Sequence, residues 1–188
     1  NARLQLTDLY LQGPESGGAP LIALDSSTAL ILLRSRLEAA GPLIDAQDIS
    51  LDARFSILSS RSQALRLRDS RVRLTDCIIG VDGGVPGSAV LDLSSGSLDA
   101  ERLRVTSADN AFSLGLRLKD VEARISESGF RTASADLAIV LESEGGSLVL
   151  SSSEIQGQAR DVVLLKISNT AASIEDCRLE SLSTGVSR

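Results

Sequence analysis

Three ionisable side chains recur at one place in a repeating pattern: Asp76, Arg102 and Glu127, spaced 26 and 25 residues apart. Two carboxylates flanking a guanidinium are the types needed to bracket a sugar, with one acid protonating a leaving oxygen and the other activating a nucleophile. The full series at this position reads Asp8, Arg34, Phe55, Asp76, Arg102, Glu127, Ser152, Asp176. Alternating sign along such a series has a plainer meaning, a surface ladder in which neighbours neutralise one another. That meaning is preferred, and under it the chain has no catalytic residue.

Other chemistries find fewer residues. The chain has no histidine, which removes Ser-His-Asp and Cys-His catalysis. Asp82-Gly83-Gly84 offers one carboxylate where calcium takes six to eight oxygens, so it reads as a glycine turn, and no metal or cofactor is expected. The glycine pairs do not join a strand to a helix, so they make no nucleotide loop. Cys77 and Cys177 occupy the same repeat position, four repeats apart. At the usual strand spacing that is roughly 19 Å, too far for a disulfide. Both are expected to be small core residues. Only Tyr10, Phe55, Phe112 and Phe130 are aromatic, and Phe130 falls on an inward position, so a sugar platform is poorly equipped.

The elements that carry these residues follow from hydrophobic spacing. In Leu65–Ile79 the apolar positions are Leu65, Leu67, Val72, Leu74, Cys77 and Ile79, which is period-2 spacing for inward-facing strands. With Leu74 as reference, its equivalents are Leu6, Leu32, Ala53, Ala100, Ile125, Leu150 and Ile174, at a mean interval of 24 residues. Two residues before each stand Leu4, Leu30, Leu51, Val72, Leu98, Ala123, Leu148 and Ala172. Five residues after stand Leu11, Leu37, Leu58, Ile79, Val105, Phe130, Ile155 and Leu179. Neither series holds a charge. A further pair of inward positions, Leu65/Leu67 and its equivalents, marks a first strand in each repeat. The predicted fold is all-β: a right-handed parallel β-helix solenoid of about eight rungs of roughly 24 residues, with three short strands per rung. Residues 1–188 form a single β-helix domain, expected to be a segment of a larger protein.

Outward positions give an independent check. One series reads Asp45, Arg66, Asp92, Arg117, Glu142, Lys166, and another Asp52, Arg73, Asp99, Arg124. Stacked directly over one another, opposite charges help and like charges destabilise. With a net charge of −6 and a pI near 4.7, the chain lacks the basic footprint of a nucleic-acid binder. No apolar run approaches the roughly 20 residues of a membrane span.

The repeat, most plainly VRLTDCIIG and ASIEDCRLE, resembles the right-handed parallel β-helix repeats of the pectate-lyase-like superfamily. The resemblance covers nearly the whole chain and is carried by spacing. It implies a bacterial surface, secreted or periplasmic location, and functions ranging from polysaccharide lyases and hydrolases to adhesins and passenger domains. The expected function is a non-catalytic scaffold or binding segment. The alternatives are a polysaccharide lyase or hydrolase and a self-assembling rod. Partners left open are a protein, a carbohydrate, or neighbouring copies meeting at open solenoid ends.

Overall fold

The computed structural model describes residues 2–15, 18–24, 26–83, 87–109 and 111–183. All the regular structure among them is β, arranged as a parallel β-solenoid. One twelve-stranded sheet holds the first and second strands of the rungs; one eight-stranded sheet holds the third strands. Each strand pairs in parallel with its counterparts in the rungs above and below, so its backbone donors and acceptors are satisfied along the axis.

The inward columns stack as the spacing predicts. Leu32, Ala53, Leu74 and Ala100 lie in consecutive register, as do Leu58, Ile79, Val105 and Phe130 in the third strands. These side chains fill one continuous core. Large and small residues alternate along the Leu32–Ala100 column, which lets leucines interdigitate with alanines one rung away at close-packed density. Phe130 is the largest side chain fully enclosed, only 2% exposed.

Two features differ from three short strands per rung. In the central rungs the first and second strands run on as one bent strand, over Leu65–Thr75, Ala89–Glu101 and Phe112–Ser126. The bend falls at Asp69, Ser95 and Asp120, each with positive φ. Gly96 follows Ser95 in this bend because a Cβ there would lie 2.1 Å from the Ser70 carbonyl oxygen. Third strands also run on past Val105, Phe130 and Ile155, to Asp109, Ser134 and Ala159. Pairing of Ser107 with Thr132 and of Thr132 with Gly157 extends the sheet along these tails.

The corner before each third strand is made by one left-handed residue. Asp8, Arg34, Phe55, Asp76, Arg102, Glu127, Ser152 and Asp176 all have φ between 48° and 53°. In each of the first seven, the amide donates to a carbonyl of the next rung, as in Asp76 N–H to Glu101 O at 3.0 Å. The next residue is a buried serine at Ser35, Ser56, Ser128 and Ser153, with Cys77 and Leu103 buried in the same slot. Ser128 Oγ donates to Ser126 O at 2.7 Å and accepts the Leu103 N–H at 3.1 Å; Ser153 Oγ repeats this with Ser151 O and the Ser128 N–H. Buried hydroxyls thereby close the amides that a sharp corner leaves without a strand partner.

Two stability outcomes are expected. Leu74→Asp places an unpaired charge between Ala53 and Ala100 and should cost about 3–5 kcal/mol or more. Arg73→Gln, one residue away and facing out, should cost less than about 1 kcal/mol. Thermal melts giving similar losses would refute the inward and outward assignment. At the corner, Phe55 is a bulky residue in left-handed backbone and is 58% exposed. Phe55→Asn should raise stability by about 0.5–1 kcal/mol, because Asn tolerates this backbone and little burial is lost. A lower melting temperature would show that the ring contributes to the fold.

Candidate functional site

The corner ladder brings Asp76, Arg102 and Glu127 into consecutive rungs. Arg102 grips Asp76 with two nitrogens, Nε to Oδ1 at 2.6 Å and Nη2 to Oδ2 at 2.9 Å. Its remaining nitrogen bonds Glu101 and stands 4.0 Å from Glu127. Three rungs earlier in the same ladder, Arg34 holds Asp8 in the same bidentate way at 2.7 and 2.8 Å. The hydrogen bonds from Arg102 hold the Asp76 carboxyl below the usual range, and Asp76, then Glu101, push the Arg102 guanidinium upward.

A depression of about 400 Å³ lies over this corner, bordered by Phe55, Arg54, Arg73, Asp99 and the Asp76–Arg102 pair. It adjoins a trough of about 580 Å³ along the outer face of the second strands. In that trough Arg73 meets Asp99 at 3.4 Å. Arg124, expected to extend the same ladder, is in register with Asp99 and Val149 but makes no ion pair among the described residues. Arg71 and Glu122 share a column in which Ser97 separates them by two rungs.

The other predicted ladder forms in full register, from Asp45 to Lys166. Arg66 reaches Asp45 at 3.4 Å; Arg117 lies 3.5 Å from Asp92 and 3.2 Å from Glu142; Lys166 meets Glu142 at 2.6 Å. Arg117 also donates to Gly87 O at 3.3 Å, so it ties a loop as well as a column. Hydrogen bonds, from Lys166 first and Arg117 second, lower the Glu142 carboxyl.

The remaining sequence candidates separate. Cys77 is fully buried with Sγ 3.3 Å from Ala53 O; burial raises its thiol pKa and makes it unreactive. Cys177 is half-buried, and both thiols are free. Asp82 ends a third strand and the Gly83 amide donates to Ala108 O at 2.9 Å, while Gly84 lies outside the described residues. Among the described residues, no three His, Cys, Asp or Glu side chains gather to hold a metal, and no helix is long and apolar enough to cross a membrane. Tyr10, in the first rung, donates to Glu38 at 2.8 Å and carries the Arg36 guanidinium 5.9 Å from its ring centre.

Sequence reasoning assigned nothing to the outer face of the third strands. There Ile78 is 43% exposed, Ile57 half-buried, and Arg104 and Arg131 exposed, with no ion pair among the described residues. The signal was present: these residues alternate with Leu58, Ile79, Val105 and Phe130. No family model, curated protein or solved structure matches the chain.

The lowered carboxyls set an acid limit. Asp8, Glu38, Asp76 and Glu142 all have folded-state pKa values below their ordinary ones. Their pairs therefore add stability above the ordinary carboxylate range, and that stability is lost as pH falls through the lowered values. Melting temperature should decline from about pH 5 downward. Glu142→Gln should lower it at pH 7, where Arg117 and Lys166 lose their shared anion, and should flatten the acid decline. A variant with an unchanged pH profile would remove Glu142 from this linkage.

Proposed function

We propose that this chain is a non-catalytic β-helical scaffold, a segment of a bacterial surface or periplasmic protein of the pectate-lyase-like kind. The observation that carries this reading is the bidentate Arg102–Asp76 pair. A carboxylic acid that must deliver a proton near neutral pH is tuned upward, by burial or a neighbouring acid; Asp76 is tuned downward by an exposed salt bridge. An arginine acting as a base must lose a proton; Arg102 is instead held more firmly protonated by two carboxylates. The Asp76 shift opposes the role of proton donor, and the Arg102 shift opposes that of a base. The same pairing keeps the outer columns nearly neutral, which suits a rod that carries binding surfaces without a strong long-range field.

The location rests on the company that the repeat resemblance keeps. A test of the function uses polygalacturonate with and without calcium. Absorbance near 235 nm reports an unsaturated product, and a reducing-end assay reports hydrolysis; both should stay at the level of buffer. Long polyanions should also bind weakly at low salt, because the ladders leave few cations free. Turnover that is abolished by Asp76→Asn or Arg102→Gln would overturn the scaffold reading in favour of an enzyme.

A further inference from the structure

Two arginines on the outer face of the third strands, Arg104 and Arg131, stand outside the ion pairs that tie the charged ladders. In one column Ile57, Ile78, Arg104 and Gly129 stack in consecutive rungs; beside it stack Ser59, Gly80, Thr106 and Arg131. Arg104 and Arg131 thus occupy one diagonal of a cell roughly 5 by 7 Å at the backbone, with Thr106 and Gly129 on the other. Among the described residues neither arginine makes a side-chain hydrogen bond or ion pair, and neither has an acid in the rung directly above or below it; Glu154, one rung above Gly129, is drawn to Arg178 at 3.8 Å. Arg34, Arg66 and Arg102, each one rung from an acid, close onto Asp8, Asp45 and Asp76.

Space and surroundings define what would complete the cell. A Cβ added to Gly129 would meet nothing within 4 Å, so the space outside Gly129 is open, beside both arginines and one rung below the Arg178-paired Glu154. A planar oxyanion there can take hydrogen bonds from both guanidiniums. Directly below Arg104 lies the exposed shelf of Ile78 on Ile57. A depression of about 570 Å³ runs alongside, over Ser59, Gly80 and Thr106, with Arg131 at one end. Asp82 borders the same depression, two rungs below Arg131, and repels an anion from that end. The face is therefore polar along its length: anion at the arginines, apolar contact at the isoleucines, no anion at Asp82.

We propose that this face docks an extended acidic–apolar peptide segment of a partner protein. Its apolar side chains lie on Ile57 and Ile78, and a carboxylate two or three residues further on bridges Arg104 and Arg131. At roughly 3.3 Å per extended residue, that spacing covers the rise from the shelf to the arginine cell. The proposal rests on the reading of the chain as a scaffold and names what the scaffold would hold.

The probe is the acetylated, amidated peptide Leu-Ser-Leu-Ser-Asp-Asp, titrated at low salt into the ¹⁵N-labelled full chain. Saturable amide shifts are expected in the third strands of the rungs from Ile57 to Arg131. Replacing both Asp of the peptide by Asn, or Arg104 and Arg131 of the protein by Gln, should each weaken binding at least about tenfold. Ile78→Ser should weaken it severalfold, and Arg124→Gln, on another face, should leave it unchanged. If the double variant does not fold, the Asn peptide against the unaltered chain makes the same comparison. Failure to saturate, shifts centred on another face, or equal binding of the Asn peptide would overturn the proposal. So would inorganic phosphate alone reproducing the shifts with no gain from the peptide, since that is an anion site and no docking surface. Those failures leave the scaffold reading standing; chemical conversion of the probe, seen by mass spectrometry, would instead remove the scaffold reading.

Discussion

A parallel solenoid depends on satisfying its backbone along one direction. Strands manage this easily, since each N–H and C=O meets a counterpart in the adjacent rung. Corners are harder: the chain must turn in two residues inside a stack, where an amide without a partner is costly. Here the turn is made by a left-handed residue whose own amide still reaches the next rung, from Asp8 through Ser152. Behind it a column of Ser35, Ser56, Cys77, Ser128 and Ser153 lines the inside of the corner. Serine is suited to this slot because it can donate to its own rung and accept from the neighbouring one in a space too small for most polar side chains. Repetition then follows: once one corner is solved, the rungs stacked on it inherit its geometry.

The same stacking decides what the outer side chains can do. Parallel register puts residues about 24 positions apart in sequence at one strand spacing, roughly 4.8 Å. At that distance opposite charges close into contact, and an aspartate beside an arginine loses the freedom needed to transfer a proton. Asp76 and Arg102 have the residue types of a catalytic pair, but the ladder uses both. Chemistry or recognition is more readily available where register leaves a charge between Ser, Gly, an aliphatic or another neutral residue, as at Arg71, Arg104 and Arg131.

Much of this was legible in the sequence, for a physical reason. Burial in a layered core tolerates no charge, so the columns through Leu74, Val72 and Ile79 could be read from residue type alone and match the observed register. The Asp45–Lys166 alternation was legible because Coulomb energy constrains side chains directly. The corner was not: Asp8, Arg34, Phe55, Glu127 and Ser152 share a backbone conformation and no side-chain property. Nothing in their types announces a positive φ, and only their equal spacing places them together. Fusion of first and second strands was hidden for a similar reason. Asp69, Ser95 and Asp120 look like turn residues, yet each bends a strand without ending it.

The unpaired arginines show where side-chain reading and register must be combined. Arg104 taken alone is an ordinary exposed residue between Leu103 and Val105. Its meaning comes from Ile78 below, Gly129 above and Arg131 beyond Thr106, none of them near it in sequence. A core substitution affects every rung that packs on it, whereas an outward substitution affects only one column and its two neighbours. Faces of such a rod can therefore differ in chemistry while the interior stays uniform. The second-strand face carries mixed charge among serines, and the first-strand face is a closed ion ladder. The third-strand face sets an aliphatic shelf against Arg104 and Arg131, which have no ion pair among the described residues, and among the three it has the asymmetry that recognition of an oriented partner requires.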